Sequence, residues 1–247
     1  MVRVTACFCR PFLVWLTILQ KYMKKIVLVW WLFSSVTLAV AEDRVIPDFD
    51  PDIGEEIMEI CAGCHGIYAQ GTPDGEYPRL AGMNPAYLER QIILFKTRKR
   101  INIPMIPYAN DHELSPEDVK NITAYIANIE LPRHMSKLDP NKEFDPLARL
   151  EESKKVTNIP HYPGDPKAGG KLYRQECASC HGRKGEGKWK KLVPMLTGQH
   201  SGYLLRQIEN IRKAKRFHDS EDDAELFRGY TDEEIANILA WLSYQDD

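Results

Sequence analysis

Two five-residue strings in this sequence carry residue types that bind metal cofactors. Both read Cys-x-x-Cys-His, and they span residues 61–65 and 177–181. This spacing is the attachment signature of a c-type haem, because two thiols add to the two vinyl groups and the next imidazole binds the iron from one face. A single string of this kind could also be a dithiol redox motif that happens to precede a histidine. Two strings in equivalent contexts favour haem attachment. The sequence therefore predicts two covalently bound haem c groups, held by Cys61, Cys64, His65, Cys177, Cys180 and His181.

The residues around the two strings repeat with an offset of 116 positions. The match needs no gap and extends from before each string to the C-terminal part of each copy. The period is too long for a solenoid repeat, so each copy is predicted to be a domain of its own. Matching segments are 78–82 with 194–198, 87–92 with 203–208, and 117–124 with 233–240.

Each copy is predicted to contain the same series of helices, which must position the cysteines and histidines. One helix runs into the motif, a glycine-rich loop follows, and a second helix comes next. A third helix begins after a capping residue, Ser115 in the first copy and Thr231 in the second. No useful strand alternation occurs, so the predicted fold is all-α, with two tandem domains that each place a few helices around a haem. Predicted bounds are 52–61 and 84–96, then 166–177 and 201–214.

Glycines in the first helix of each copy predict a close helix crossing. Gly54 and Gly170 occupy matching positions, and so do the aromatic residues Tyr125 and Trp241 in the closing helices. A glycine has no Cβ, so an aromatic ring can lie directly against the helix backbone. We interpret these rings as core packing.

The chain is predicted to divide into a targeting segment, two haem-binding domains and a linker. The linker is rich in proline and charged residues, with one helical turn around 147–153. The predicted bounds are 1–41 for a signal peptide, 42–130 for the first domain, 131–165 for the linker and 166–247 for the second domain.

The N-terminal segment resembles a bacterial export signal. Lys24 and Lys25 precede an apolar run at 26–38, and Ala39-Val-Ala41 is a small-x-small cleavage pattern. The signal is complete from Met23, so residues 1–22 are interpreted as an upstream extension. A retained membrane anchor is the alternative, although the apolar run is short for a membrane span. Export predicts a periplasmic location, which also suits haem attachment.

Charge excludes one class of partner. The full chain has 33 basic and 35 acidic residues, a formal net charge of −2. Residues 1–41 hold five basic and no acidic residues, so the cleaved chain has a net charge of −7. Phosphate backbones are bound by clustered positive charge, so a nucleic-acid partner is not predicted.

The distal ligand of the first iron is predicted to be Met105. It lies in a proline-stiffened loop between helices, which can cover the open face of a haem. Met58 is too close to the motif to reach round the ring, and Met83 starts a helix and matches Gln199 in the second copy. A methionine opposite histidine raises the haem potential.

The second copy has no methionine where Met105 has its counterpart, because residue 221 is glutamate. His218 lies three residues earlier in the same loop and is predicted to be the distal ligand. Met195, His200 or an open position are the alternatives. Two nitrogen ligands lower the potential, so the two haems are expected to differ.

The combination of motifs resembles the diheme class I cytochromes c of the cytochrome c4 type. It consists of Cys-Ala-x-Cys-His-Gly, Pro-x-Leu-x-Gly, Tyr-Leu-x-Arg-Gln and Lys-Arg in both copies, and it covers nearly all of the cleaved chain. The resemblance implies two cytochrome c domains related by a pseudo-twofold axis, propionates near the domain interface and a role in periplasmic electron transfer. Cys61, Cys64, His65 and Met105 match the family's first site. Only the cysteines and histidine of the second motif match the second site, since its methionine is missing.

These features favour an electron carrier over an enzyme. We expect redox protein partners, namely a membrane respiratory complex and a terminal oxidase or reductase, with peripheral association to the membrane. One alternative is the cytochrome subunit of an oxidoreductase acting on a sulfur or nitrogen compound. Another is a haem protein that binds a ligand at the second iron. No Ser/His/Asp ordering or phosphate-binding loop is recognisable in the sequence.

Overall fold

A capping side chain followed by proline starts each of three helices in the first repeat. The side chains of Asp50, Asn84 and Ser115 accept hydrogen bonds from backbone N–H groups of the first turn. Proline at the first helical position lacks an N–H that would otherwise need a partner. The computed structural model describes residues 44–157, 159–218 and 224–245. The helices of the first repeat are α1 (Pro51–His65), α2 (Pro85–Lys96) and α3 (Pro116–Asn128).

The linker contains a helix of its own and contacts the first repeat. This helix, α4 (Pro146–Lys155), is capped by Asp145. The Tyr68 hydroxyl donates to Glu151 at 3.1 Å, and the Lys155 ammonium lies 5.2 Å from the centre of the Tyr68 ring. Tyr68 is three residues beyond His65, so the linker lies beside the loop that follows the first motif.

The second repeat follows the order of the first, with one interruption. Its first helix ends at Glu176, and a short helix then carries the motif, whereas α1 runs through the first motif without a break. The predicted cap at Thr231 is present and forms a capping box with Glu234. The helices are α5 (Pro166–Glu176), α6 (Ala178–His181), α7 (Ser201–Arg212), α8 (Ala224–Arg228) and α9 (Asp232–Ser243).

The predicted all-α fold is confirmed. Within the described ranges no β-strand forms, and the only extended pairing is an isolated bridge between Lys188 and Val193. No described helix combines the length and the apolar character needed to cross a membrane. The predicted signal peptide at residues 1–41 lies outside the described residues, as does Glu221.

The predicted helix crossings are present in both repeats. A Cβ placed on Gly54 would lie 2.6 Å from the Tyr125 Cβ, and one on Gly170 would lie 2.5 Å from Trp241 Cδ1. Both distances are shorter than van der Waals contact, so these crossings need glycine. Apolar clusters fill the space around each crossing. The first includes Met58, Leu88, Ile122 and Ile126, and the second includes Tyr173, Leu204, Ile235 and Leu239.

The two repeats are joined by reciprocal hydrogen bonds. Arg100 donates to Gln91 of its own repeat at 2.7 Å and to the Tyr203 hydroxyl of the other repeat at 3.1 Å. Its counterpart Arg216 donates to Gln207 of its own repeat at 2.7 Å and to the Tyr87 hydroxyl of the other at 3.2 Å. Equivalent residues therefore make equivalent contacts from the first repeat to the second and from the second to the first.

Gln199 forms a second link between the repeats. Its side-chain oxygen accepts from the Arg79 N–H at 3.0 Å, and its amide donates to the Arg79 carbonyl at 2.9 Å. Only 4 % of Gln199 is exposed. A buried amide that pairs with both backbone groups of one residue fixes the separation of the two surfaces.

We expect Gln199→Ala to weaken the contact between the repeats by about 1–3 kcal/mol, because it removes both hydrogen bonds that the buried Gln199 amide makes with the Arg79 backbone. Urea unfolding followed by far-UV circular dichroism and by haem absorption measures the effect. Exposed Gln175 provides the matched control, since Gln175→Ala removes the same atoms at the surface. Equal midpoints for the two variants would show that the Gln199 contacts contribute nothing to stability.

Candidate functional site

The first motif ends at the last residue of α1. His65 is 8 % exposed, and its Nδ1 lies 3.1 Å from the Pro78 carbonyl oxygen. A carbonyl only accepts, so Nδ1 carries the proton and Nε2 keeps its lone pair for a metal. The Gly71 N–H donates to the His65 carbonyl at 2.8 Å, which ties the glycine-rich loop to the motif.

The second motif has the same arrangement. His181 Nδ1 lies 3.1 Å from the Pro194 carbonyl oxygen, and the Gly187 N–H donates to the His181 carbonyl at 2.7 Å. Burial lowers the pKa of His181 to about 4 and also lowers the pKa of His65. Both imidazoles are therefore neutral near pH 7, the form that binds a metal ion.

The motif cysteines are thiols that suit covalent attachment. All four are free, and burial raises the pKa of Cys61 and Cys177 to about 11. Addition of a thiol to a vinyl group forms a thioether, which carries no charge into a buried place. Two thiols and a neutral imidazole with a free Nε2 fit a covalently attached haem in each repeat.

Met105 lies in the loop between α2 and α3, as the sequence indicates. It ends a 3₁₀ turn at Ile103–Met105 and is half-buried, and its carbonyl accepts from the Ala109 N–H at 2.8 Å. The two other methionines considered as ligands in the first repeat are part of its apolar core. Met58 and Met83 are 3 % and 7 % exposed within the apolar cluster of the first repeat.

His218 lies opposite the proximal histidine of the second repeat. Its Nε2 is 3.3 Å from His181 Nε2, the atom that the Pro194 contact leaves available. His181 and His218 are therefore the two side chains of the second repeat that would hold a haem iron between their Nε2 atoms. The Phe227 ring contacts the His218 ring edge to face, with centroids 5.7 Å apart.

The alternative ligands of the second iron have other contacts. Met195 packs against the apolar cluster of the first repeat. His200 is 2 % exposed, and its Nε2 donates to the Gln70 carbonyl of the first repeat at 2.8 Å. Both side chains therefore contribute to the contact between repeats.

Sequence reasoning missed three participants. The carbonyls of Pro78 and Pro194 hold the proximal imidazoles, and their signal was the shared Pro-x-Leu-x-Gly string. Phe227 contacts His218, but its counterpart in the first repeat is Asp111, so the duplication gave no signal for it.

Comparison with known proteins shows which family both repeats match. The family model for cytochrome c matches residues 52–130 and 166–246. Cytochrome c4 of Thiocapsa roseopersicina is 31% identical over 204 residues, which cover 78% of this chain and 91% of that protein. A thiosulfate dehydrogenase electron acceptor of Stutzerimonas stutzeri (strain A1501) is 27% identical, covering 74% of this chain and 77% of that protein. Reduced recombinant cytochrome c4 from Pseudomonas stutzeri has a similar fold, with a TM-score of 0.57 at 23% identity over 79% of this chain and 98% of that one.

Proposed function

This chain belongs to the cytochrome c family as a diheme electron-transfer protein of the c4 type, and we propose that it carries single electrons in the periplasm with different distal ligands on its two haems. Each of its two covalently bound haem c groups supplies a one-electron ferric/ferrous couple. In the first repeat His65 and Met105 bind the iron. In the second repeat His181 and His218 bind it.

The contact between His181 and His218 carries the proposal. The two Nε2 atoms face each other at 3.3 Å. The position that matches His218 in the first repeat is Asn102, so this pair of histidines belongs to the second repeat. A six-coordinate iron keeps its geometry when it changes oxidation state, which suits a carrier. Pro194 and Phe227 orient the two rings through the contacts described above.

Different distal ligands give the two haems different reduction potentials. Methionine opposite histidine raises the potential, and two imidazoles lower it. An electron that enters at the second haem therefore moves downhill to the first. The contact between the repeats keeps both haem domains in one unit, so this transfer is intramolecular.

The partners in this proposal are redox proteins on either side of the carrier. A membrane respiratory complex and a terminal oxidase or reductase fit a periplasmic carrier associated peripherally with the membrane. A second candidate is the electron acceptor of a sulfur-compound oxidoreductase. Relatives named thiosulfate dehydrogenase electron acceptor favour it, at 27% and 29% identity.

Optical and electron paramagnetic titration against potential tests the proposal. We expect two separate one-electron steps and a ferric methionine-to-iron charge-transfer band from the higher-potential haem alone. Met105→Leu should remove that band and lower the higher potential, because leucine has no sulfur. Met83→Leu keeps the volume of a buried methionine and should change neither, which makes it the matched control. A methionine band from both haems, or one that survives Met105→Leu, would contradict the proposed ligands.

A further inference from the structure

The linker helix α4 is amphipathic in the reverse of the usual sense. Its charged side chains Arg149 and Glu152 form a salt bridge at 2.7 Å and are only 25 % and 26 % exposed. Leu147 and Leu150, in contrast, are 74 % and 53 % exposed. A surface helix normally turns its apolar side toward the core and its charged side toward water. In α4 the large apolar side chains are the ones that face solvent.

Contacts with the preceding part of the linker hold α4 in this orientation. The Arg149 guanidinium donates to the Ser136 carbonyl at 2.8 Å, and the Glu152 carboxylate accepts from the Ser136 N–H. At about 100° per residue, the midpoint of Leu147 and Leu150 lies about 160° around the helix from the midpoint of Arg149 and Glu152. The two leucines therefore point away from the segment that holds the helix.

Two more apolar residues are exposed close to these leucines in the chain. Phe144 directly precedes the Asp145 cap of α4 and is 58 % exposed, and Leu138, two residues beyond Ser136, is 63 % exposed. At roughly 130 Å² of accessible surface each, the four apolar residues present about 500 Å². Two such surfaces in contact would bury about 1,000 Å², which is the lower end of the range for specific interfaces and predicts a weak association.

The charges of α4 favour contact with a like surface over contact with a charged one. From its cap to its last residue, at 145–155, the helix has three acidic and three basic residues. Lys154 and Glu151 form a salt bridge at 2.7 Å, next to the Arg149–Glu152 pair. A surface without net charge attracts neither an acidic nor a basic partner, and it does not repel a copy of itself.

An antiparallel pair of α4 helices is self-complementary. If a twofold axis passes between residues 148 and 149, Leu147 of each copy meets Leu150 of the other. The same register brings Lys154, near the end of α4, beside the segment that leads into the other copy's helix. Glu143 is exposed in that segment. Leucines meet leucines and opposite charges meet, once on each side of the axis.

We propose that the leucine side of α4 is a contact between two copies of this chain, arranged antiparallel about a twofold axis. This inference goes beyond electron transfer, because it concerns assembly and needs neither haem. The Tyr68 hydroxyl donates to Glu151 and links α4 to the loop after the first motif. The contact therefore joins the two copies through their first repeats. Its small area makes the dimer dependent on concentration.

A second copy fits this surface better than an anionic membrane does. Helices that lie on such membranes carry an excess of lysine and arginine on their polar side. The helix α4 has no such excess. Arg149 and Lys154 are paired with glutamates, and the Lys155 ammonium lies 5.2 Å from the centre of the Tyr68 ring. Its basic groups are thus already engaged within the protein.

Sedimentation velocity of the diheme protein, followed by haem absorption at physiological salt, tests the contact. We expect the wild type to change from monomer to dimer between low micromolar and near-millimolar concentration. Leu147→Gln with Leu150→Gln should raise the dissociation constant at least about tenfold, because the dimer loses four apolar side chains from its interface. Glutamine is a good helix former, so α4 should remain folded in this variant.

Val45→Gln with Ile93→Gln is the matched control for the leucine variant. These two residues are 72 % and 47 % exposed and lie outside α4. Their replacement removes a similar apolar area from the surface and should leave the dissociation constant unchanged. Equal weakening by both double variants would indicate non-specific association and would contradict the proposed contact.

Lys154→Glu tests the antiparallel register. It places a carboxylate beside Glu143 of the other copy on both sides of the axis and should weaken the dimer about threefold. Adding Glu143→Lys restores opposite charges and should return the dissociation constant to its wild-type value. Damage to α4 through loss of the Lys154–Glu151 salt bridge would not be repaired by the second change. Absence of rescue would contradict the antiparallel arrangement.

Two other results would overturn the inference. A wild type that stays monomeric over the whole concentration range would show that the copies make no such contact. Binding of the monomeric wild type to phospholipid vesicles, lost in the Leu147/Leu150 variant, would identify the leucine side of α4 as a membrane contact instead.

Discussion

His218→Ala is expected to convert the second haem iron from low-spin to high-spin in the ferric state, because the variant lacks the imidazole opposite His181. The methyl side chain of alanine cannot bind iron, so the sixth coordination position of the second haem opens to water or to added ligands. Electron paramagnetic resonance should show one low-spin and one high-spin haem. Cyanide should then bind rapidly to one haem of the two.

Exposed His112 offers the control for this experiment, since His112→Ala removes an imidazole from a surface loop of the first repeat. It should leave both haems low-spin. An unchanged spectrum of the second haem in His218→Ala would show that another group binds that iron, and the proposed ligand pair would be wrong.

His218→Met extends the same experiment to the potential. It should give both haems His/Met ligation and raise the lower potential toward the higher one. Axial ligands set haem potentials over a range of about 0.8 V, so the shift should be large on the scale of a titration. If the titration still shows two one-electron steps separated by the original difference in potential, the type of distal ligand does not determine that difference.

Gly169→Ala is expected to cause the largest loss of stability, about 3 kcal/mol or more, which is a large share of a typical domain's stability. A Cβ at Gly169 would lie 1.7 Å from the Asn237 carbonyl oxygen of α9. The obstacle is backbone, so relief requires α5 and α9 to move apart, and α5 leads directly into the second haem motif. Urea unfolding monitored by circular dichroism should show the second repeat unfolding earlier than in the wild type.

Gly63→Ala is the matched control for Gly169→Ala. Among the described residues, no atom outside its chain neighbours and its own helix lies within 4 Å of a Cβ placed on Gly63, and Ser179 carries a Cβ at the matching position. Alanine in a helix interior is favoured over glycine by up to about 1 kcal/mol, so this variant should be as stable as the wild type or slightly more so. Similar destabilisation by both substitutions would indicate that helix crossing at Gly169 is not the cause.

Local signals in the sequence were sufficient to predict most of the fold. Capping residues mark helix starts by a rule that involves only neighbouring residues, and the caps predicted at Ser115 and Thr231 are both present. The helix crossings at Gly54 and Gly170 were also predictable, because the glycine and the aromatic residue that packs on it occupy matching positions in the two copies. The proximal ligands His65 and His181 are predicted from spacing alone.

Features that depend on packing between distant residues could not be derived from the sequence. Both motifs read alike, yet α1 continues through the first and the helix of the second copy is interrupted at Cys177. The contact of Tyr68 with α4 joins segments more than 80 residues apart. Phe227 reaches His218 through a helix that has no counterpart in the first repeat.

The reciprocal bonds of Arg100 and Arg216 bear on how this chain arose. Each arginine holds a glutamine of its own half and a tyrosine of the other, which is the pattern of an isologous dimer, where one patch binds a copy of itself. A single-haem ancestor that paired with itself would already have had these contacts before its gene was duplicated and fused. Fusion would then have let the halves diverge elsewhere, as at Asn102 and its counterpart His218, while the shared patch was kept.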